Sequence, residues 1–256
     1  GAKQSLANVC LSLLNNGDEV LLPTPYWVSY SEIVKLAEGT PIEIPSSIDS
    51  DFKVAAAEIE RYITPKTKIL MFSSPCNPSG TVFSQKELED IAKMLEKYPN
   101  IYIIADEIYE HINFTENHFS IGTIPSIKDR VITVNGVSKG FAMTGWRVGF
   151  IGAPLWIAKA CNKIQGQVTS GTCAIAQKAA ETAMNASPSE IMFMRDIFLK
   201  RRDLVLNKIS EIEGMKCNVP QGSFYLFPDV SYYFGKSDGD TTINNSDDLC
   251  MYLLNN

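Results

Sequence analysis

Residues Val134–Gly149 read VNGVSKGFAMTGWRVG. A β-rich run, Val131 to Val134, leads into a turn of small residues that presents Lys139. Arg147 follows eight residues later, just before a second apolar run, Val148 to Ala153. A lysine at the end of a buried strand is placed to use its amine as a Schiff-base nucleophile. An arginine close by offers a fixed fork for a phosphate. Taken alone, such a pair is more often a surface lysine and a salt-bridged arginine. The rest of the chain decides between the two.

At 256 residues the chain is long enough for one large domain or one and a half. With 45% apolar and 20% charged residues it has the composition of a soluble globular protein. A formal charge of −6 argues against a nucleic-acid partner, which would call for a basic face. No apolar run approaches the roughly 18 residues of a membrane span, and no signal peptide is visible. Six cysteines at 10, 76, 161, 173, 217 and 250 show no CxxC and no paired spacing. That suits free thiols in a reducing compartment, and so a cytoplasmic protein. Two histidines, His111 and His118, are too few for a His-based metal site, and no metal is expected.

An amphipathic pattern predicts a helix from Ala2 to about Leu14, and a helix starting at glycine offers free N–H groups to an anion. Strands are expected over 19–22, 41–44, 68–72, 101–105 and 131–134. Helices are expected over 26–38, 55–63 and 84–98, the last with Ser84 and Glu87 as a capping box. Apolar strands alternating with helices predict an α/β fold, three layers with a mostly parallel sheet between helices. Ligands of such sheets bind beyond the carboxyl ends of the strands, where Asn77, Asp106 and Lys139 lie. Past Pro154 the pattern is helical: 155–165, 174–185, and a long helix from Ser189 to about Glu213, capped by Ser187-Pro188. Within it Lys200–Asp203 reads as a solvated charge run. Phe224–Phe227 reads as a strand of a new unit, and 229–248, polar and rich in Gly, Asp and Asn, as a mobile loop. There are no internal repeats.

Each polar candidate has a plain alternative. Asp106 is a helix cap or a buried carboxylate with a cationic partner, and Tyr109 would project its hydroxyl nearby. Asn77 alone is turn chemistry, Trp27 alone is core, and Gly1-Ala2-Lys3 alone is a weak phosphate signal. Together, GAKQ at 1–4, PYW at 25–27, NPSG at 77–80, DEIYEH at 106–111, SKGFAMTGWRVG at 138–149 and PQGSFY at 220–225 occur in one order. That set resembles the fold-type I, class I pyridoxal-phosphate aminotransferases, and specifically the bacterial-type aspartate aminotransferases. The resemblance runs along essentially the whole chain.

The resemblance implies pyridoxal 5'-phosphate as cofactor and a role for each matched residue. Lys139 matches the lysine that carries the cofactor and later shuttles a proton. Asp106 matches the carboxylate that keeps the pyridine nitrogen protonated. Tyr109 and Asn77 match the donors to the ring 3'-oxygen, and Trp27 the indole stacked on the ring face. Gly1, Ala2 and Lys3 match the helix start at the phosphate, Arg147 the phosphate arginine, and Ser138 is a further candidate contact. Lys3, Trp27 and Asn77 are also the candidate substrate contacts, Lys3 reaching a side-chain carboxylate.

Gly136 stands where many relatives place a phosphate-binding serine, which puts one contact in doubt. The family also has segments that supply a first strand, a tyrosine lent by the other subunit and an arginine for the substrate α-carboxylate, and no residue here matches them. The chain by itself is therefore expected to be a poor catalyst. The resemblance implies transfer of an amino group from an amino acid, aspartate first, to a 2-oxo acid, 2-oxoglutarate first, in a homodimer with its active site at the subunit interface. Aromatic or prephenate transamination and a β-lyase remain open on the same scaffold. A non-catalytic, cofactor-binding regulatory domain is a rival of another class. Residues 1–187 are expected to form the cofactor-binding large domain, and 188–256 the connecting helix and part of a smaller domain.

Overall fold

The computed structural model describes residues 1–115, 117–187, 189–239 and 241–256. A six-stranded sheet organises it: β1 (Glu19–Pro23), β2 (Thr40–Ile44), β3 (Thr67–Ser73), β4 (Tyr102–Asp106), β5 (Val131–Gly136) and β6 (Gly149–Gly152). The order is β2-β1-β3-β4-β5-β6. The first five strands are parallel, and β6 closes one side antiparallel to β5.

The inner strands β1, β3, β4 and β5 are apolar on both faces, and their period of two sends alternate residues into two cores. Val20, Leu22, Ile69, Met71, Ile104, Ile132 and Val134 pack under α1 (Ala2–Leu13), α2 (Ser29–Leu36) and α5 (Leu155–Val168). Leu21, Leu70, Phe72, Ile103, Ala105 and Val131 pack on the other face with α3 (Ala56–Arg61) and α4 (Gln85–Leu95). The three-layer α/β/α expectation holds. The Ser84–Glu87 capping box forms as read: Ser84 N donates to Glu87 Oε2 at 2.6 Å, and Glu87 N to Ser84 Oγ at 3.3 Å.

Helices α6 (Ala174–Met184), α7 (Ser189–Ser210) and α8 (Ser246–Asn255) follow the sheet. Pro188, half of the expected cap of α7, lies outside the described residues. Several expectations are corrected. The helix after Pro25 starts at Ser29, because Tyr26–Val28 form the turn that carries Trp27. Helix α4 stops at Leu95, not Tyr98, and α7 at Ser210, not Glu213. Phe224–Phe227 is not a strand: it is flanked by the isolated bridges Asn113–Gly222 and Lys216–Asp229 and joins no sheet among the described residues. Phe224 packs on Tyr109 and Phe198, Tyr225 on Tyr109, and Phe227 on Phe52 instead. The described residues of 229–248 are structured, with a turn at Ser231–Tyr233, a pair of strands β7 (Ser237–Asp238) and β8 (Thr241–Thr242), and the first turn of α8, while Asp240 lies outside the described residues. In the charge run Arg202 is not simply solvated. It donates to the Pro220 carbonyl at 2.8 Å and covers the Phe114 ring.

Gly149 sets how closely α1 approaches the sheet, and Gly136 how closely β6 lies against β5. A Cβ on Gly149 would stand 2.2 Å from Ala2 N, and one on Gly136 would stand 2.8 Å from the Val148 carbonyl. Gly136 is thus a packing residue against β6 with no room for a serine side chain. Gly149→Ala is expected to push α1 off β6 and cost about 1–3 kcal/mol, read as a lower urea midpoint. Gly152→Ala, where a Cβ meets nothing within 4 Å, is the control and is expected to stay within about 0.5 kcal/mol of the parent.

Candidate active site

A cavity of ≈ 180 Å³ opens beyond the carboxyl ends of β3, β4 and β5. Asp106, the last residue of β4, forms its floor and is 3% exposed. Its Oδ2 accepts a 2.7 Å hydrogen bond from the Tyr30 hydroxyl, and its Oδ1 one of 3.2 Å from Ile108 N. Burial pushes its pKa up to about 6, against the pull of these two donors. Tyr109 sits one turn on, 3% exposed, its hydroxyl 3.1 Å from that of Tyr225. Burial first, then Tyr225, raise the Tyr109 phenol well above its ordinary range.

Lys139 follows β5 in a half-buried position, its Nζ 5.9 Å from the Tyr109 ring centre and 5.4 Å from that of Phe224. Arg147 lines the exposed side of the cavity with left-handed backbone, φ 56°. Its guanidinium donates to the Thr144 carbonyl at 2.8 Å, and its own carbonyl accepts from Gly1 N at 3.0 Å. Beside it α1 begins. The N–H groups of Gln4 and Ser5 close on the Gly1 carbonyl, so those of Ala2 and Lys3 remain available at the helix end. Lys3 Nζ stands 4.7 Å over the Trp27 ring. Asn77 and the buried Ser138 complete the wall.

Nine of the ten candidate residues therefore line one cavity. Gly1 lies behind it, in an adjoining groove that shares Lys3 and Arg147. The sequence reading missed Tyr30, Ser73, Thr144 and Tyr225, which also line it. Tyr225 lies inside the PQGSFY motif, whereas Tyr30 falls within the expected helix over 26–38, three positions after Trp27.

The charges in this cavity lack partners. Asp106 has no cation beside it, and neither Lys139 nor Arg147 forms an ion pair, among the described residues. A ligand with a protonated ring nitrogen at one end and an anion at the other would satisfy all three. Pyridoxal 5'-phosphate has that distribution, and the donor set fits it.

Residues 1–256 match the sequence family described as aminotransferase class I and II. The chain belongs to that family. The aminotransferases it resembles include a bifunctional aspartate aminotransferase and glutamate/aspartate-prephenate aminotransferase of Petunia hybrida. That protein is 47% identical over 259 residues, covering 99% of this chain and 54% of the plant protein. A probable aspartate/prephenate aminotransferase of Rickettsia bellii is 44% identical over 99% of this chain and 64% of its own. The crystal structure of the aspartate aminotransferase from Rhizobium meliloti superposes with a TM-score of 0.96 at 39% identity, over 100% of this chain and 65% of that one. The chain thus spans between about half and two thirds of these aminotransferases. The family depends on pyridoxal 5'-phosphate. Among the described residues no helix is long and apolar enough to cross a membrane.

Proposed function

We propose that this chain is the cofactor-binding part of an aminotransferase that moves the amino group of aspartate to 2-oxoglutarate in two half-reactions. One observation carries the reading: a buried carboxylate without a cation faces a lysine and an arginine without anions across one cavity. Bound there, pyridoxal 5'-phosphate supplies the carbonyl carbon that takes the amino group and a ring that delocalises the electrons left when Cα loses its proton. Asp106 holds the proton on the ring nitrogen. The Tyr109 hydroxyl and the Asn77 amide hold the ring oxygen, and Tyr225 fixes the tyrosine from behind. Arg147 and the N–H groups of Ala2 and Lys3 grip the phosphate, with Ser138 as a neighbour. Trp27 covers the ring face. The Lys139 amine carries the cofactor and moves the proton at the substrate Cα. Lys3 draws in the second carboxylate of a dicarboxylic substrate.

The relatives named for prephenate favour a second acceptor, an oxo acid with a bulky ring, at the same site. A second copy of the chain would cover the adjoining groove of ≈ 970 Å³, where Leu36 and Ile175 are 68% and 76% exposed; we take the protein to be a homodimer. The six free cysteines favour a reducing compartment such as the cytoplasm. Residues 1–187 would form the large domain. Residues 188–256 would form the connecting helix α7, which has no buried residue, and small-domain elements.

The test is a single half-reaction. The whole protein, loaded with cofactor and mixed with aspartate alone, is expected to release stoichiometric oxaloacetate, and 2-oxoglutarate is then expected to restore the starting spectrum. Binding of cofactor without release of any 2-oxo acid from aspartate, glutamate or aromatic amino acids would leave only the regulatory reading.

A further inference from the structure

Behind Asp106 lies a second buried carboxylate. Glu107 is 4% exposed, and its N–H donates to the Val134 carbonyl at 2.9 Å, which ties it to the end of β5. Its side chain turns away from the cavity. Oε1 accepts from Ser120 Oγ at 2.6 Å, and Oε2 lies 2.9 Å from His118 Nε2. Neither Glu107, His118 nor Ser120 lines the cavity. The chain has two histidines, and the other, His111, stands 3.3 Å from Glu110 on the same turn.

Ser120 donates to Glu107 and not to His118, so the trio is not an activated hydroxyl. Glu107, Glu110 and His118 bring their ligand atoms within 4.8 Å of one another. Both Glu107 oxygens are already taken, though, and an ion pair explains them without a metal. Burial works against a charge on His118, but the hydrogen bond and charge of Glu107, with Glu110 behind, carry its pKa above the ordinary value. It faces only these two carboxylates among the described residues.

Asp106 faces Tyr30 from α2, Tyr109 and Glu107 on its own segment, Cys76 from the segment after β3, and Lys139 across the cavity. Of these, the negative Glu107 pushes a proton onto Asp106, adding to the effect of burial. Two neighbouring buried carboxylates without compensation would leave one of them protonated. We propose that Glu107 and His118 are positioning residues for Asp106: the imidazolium cancels the Glu107 charge directly behind it, so that Asp106 faces the cavity as an anion. This rests on the reading of Asp106 as partner of the ring nitrogen, since only an anion there keeps that nitrogen protonated.

The experiment is a ¹³C titration of the aspartate carboxyls in the whole protein without cofactor, with Asp106→Asn identifying the resonance. His118→Gln keeps a hydrogen-bond donor but removes the charge, and is expected to raise the Asp106 midpoint by about one pH unit. Glu107→Gln is expected to leave it at or below the parent value, because the imidazole loses the charge that kept its proton, and the double variant to stay near the parent value. A merely structural role would move both single variants in the same direction. Shifts of the same sign in both, or none in either, overturn the proposal. If circular dichroism shows Glu107→Gln unfolded, His118→Gln decides alone: a rise supports the pair and an unchanged midpoint refutes it. No cofactor enters this titration, so a failure of the proposed transamination would show in the half-reaction and leave this result standing.

Discussion

Lys139→Ala is expected to abolish both the covalent attachment of cofactor and turnover. In the parent, borohydride treatment of the loaded protein followed by peptide mapping is expected to tag Lys139, and in the variant nothing. Turnover is expected to fall by about 10⁴-fold or more, the upper scale for losing a positioned acid–base group, with the nucleophile lost as well. The amine is singled out by its surroundings. It stands 5.4 Å and 5.9 Å from two aromatic rings, with no carboxylate paired to it among the described residues. Lys139→Arg separates charge from chemistry. It keeps a long basic side chain at position 139 but cannot give up its proton, so it is expected to be as inactive as the alanine variant. A tag on another lysine, or measurable turnover in Lys139→Arg, would show that the amine has been misplaced.

The sheet was legible because its central strands β3, β4 and β5 are apolar on both faces and run on into polar residues. Phe72 leads to Ser73, Ala105 to Asp106, and Val134 through Gly136 to Lys139. Such ends can only point at solvent or at a ligand, and parallel strands bring them to one edge. Tyr30 was not legible. Its hydroxyl meets Asp106 across 76 residues of sequence, and nothing local separates it from an apolar helix residue such as Ile33. Phe224–Phe227 misled because aromatic runs favour strands only where a partner strand exists, and here the rings pack on Tyr109, Phe198 and Phe52. Gly136 looked like a missing phosphate ligand, while the β6 backbone lying against it shows a steric demand that no pattern in the chain expresses.

Asp106→Asn is expected to separate stability from function, because the buried charge that serves the cofactor burdens the empty fold. The folded pKa of about 6 lies above the ordinary 3.8, so the native state binds the proton more tightly than the unfolded chain. Stability therefore falls as pH rises from about 4 to 6, by about 3 kcal/mol for a rise of that size. The asparagine variant carries no such charge. Without cofactor it is expected to match the parent near pH 4 and to exceed it by up to about 3 kcal/mol above pH 6, read from urea midpoints at the two pH values. With cofactor the order reverses. In the parent the ring nitrogen brings the missing cation and relieves the penalty, whereas the amide gains no such partner. Turnover in the variant is expected to drop by at least about a hundredfold, the scale of one lost preorganised electrostatic contact, with binding weakened less. An unliganded variant no more stable than the parent at pH 7 would mean that Asp106 is already paired with a charge inside the fold. Near-parental turnover would mean that the ring nitrogen needs no carboxylate.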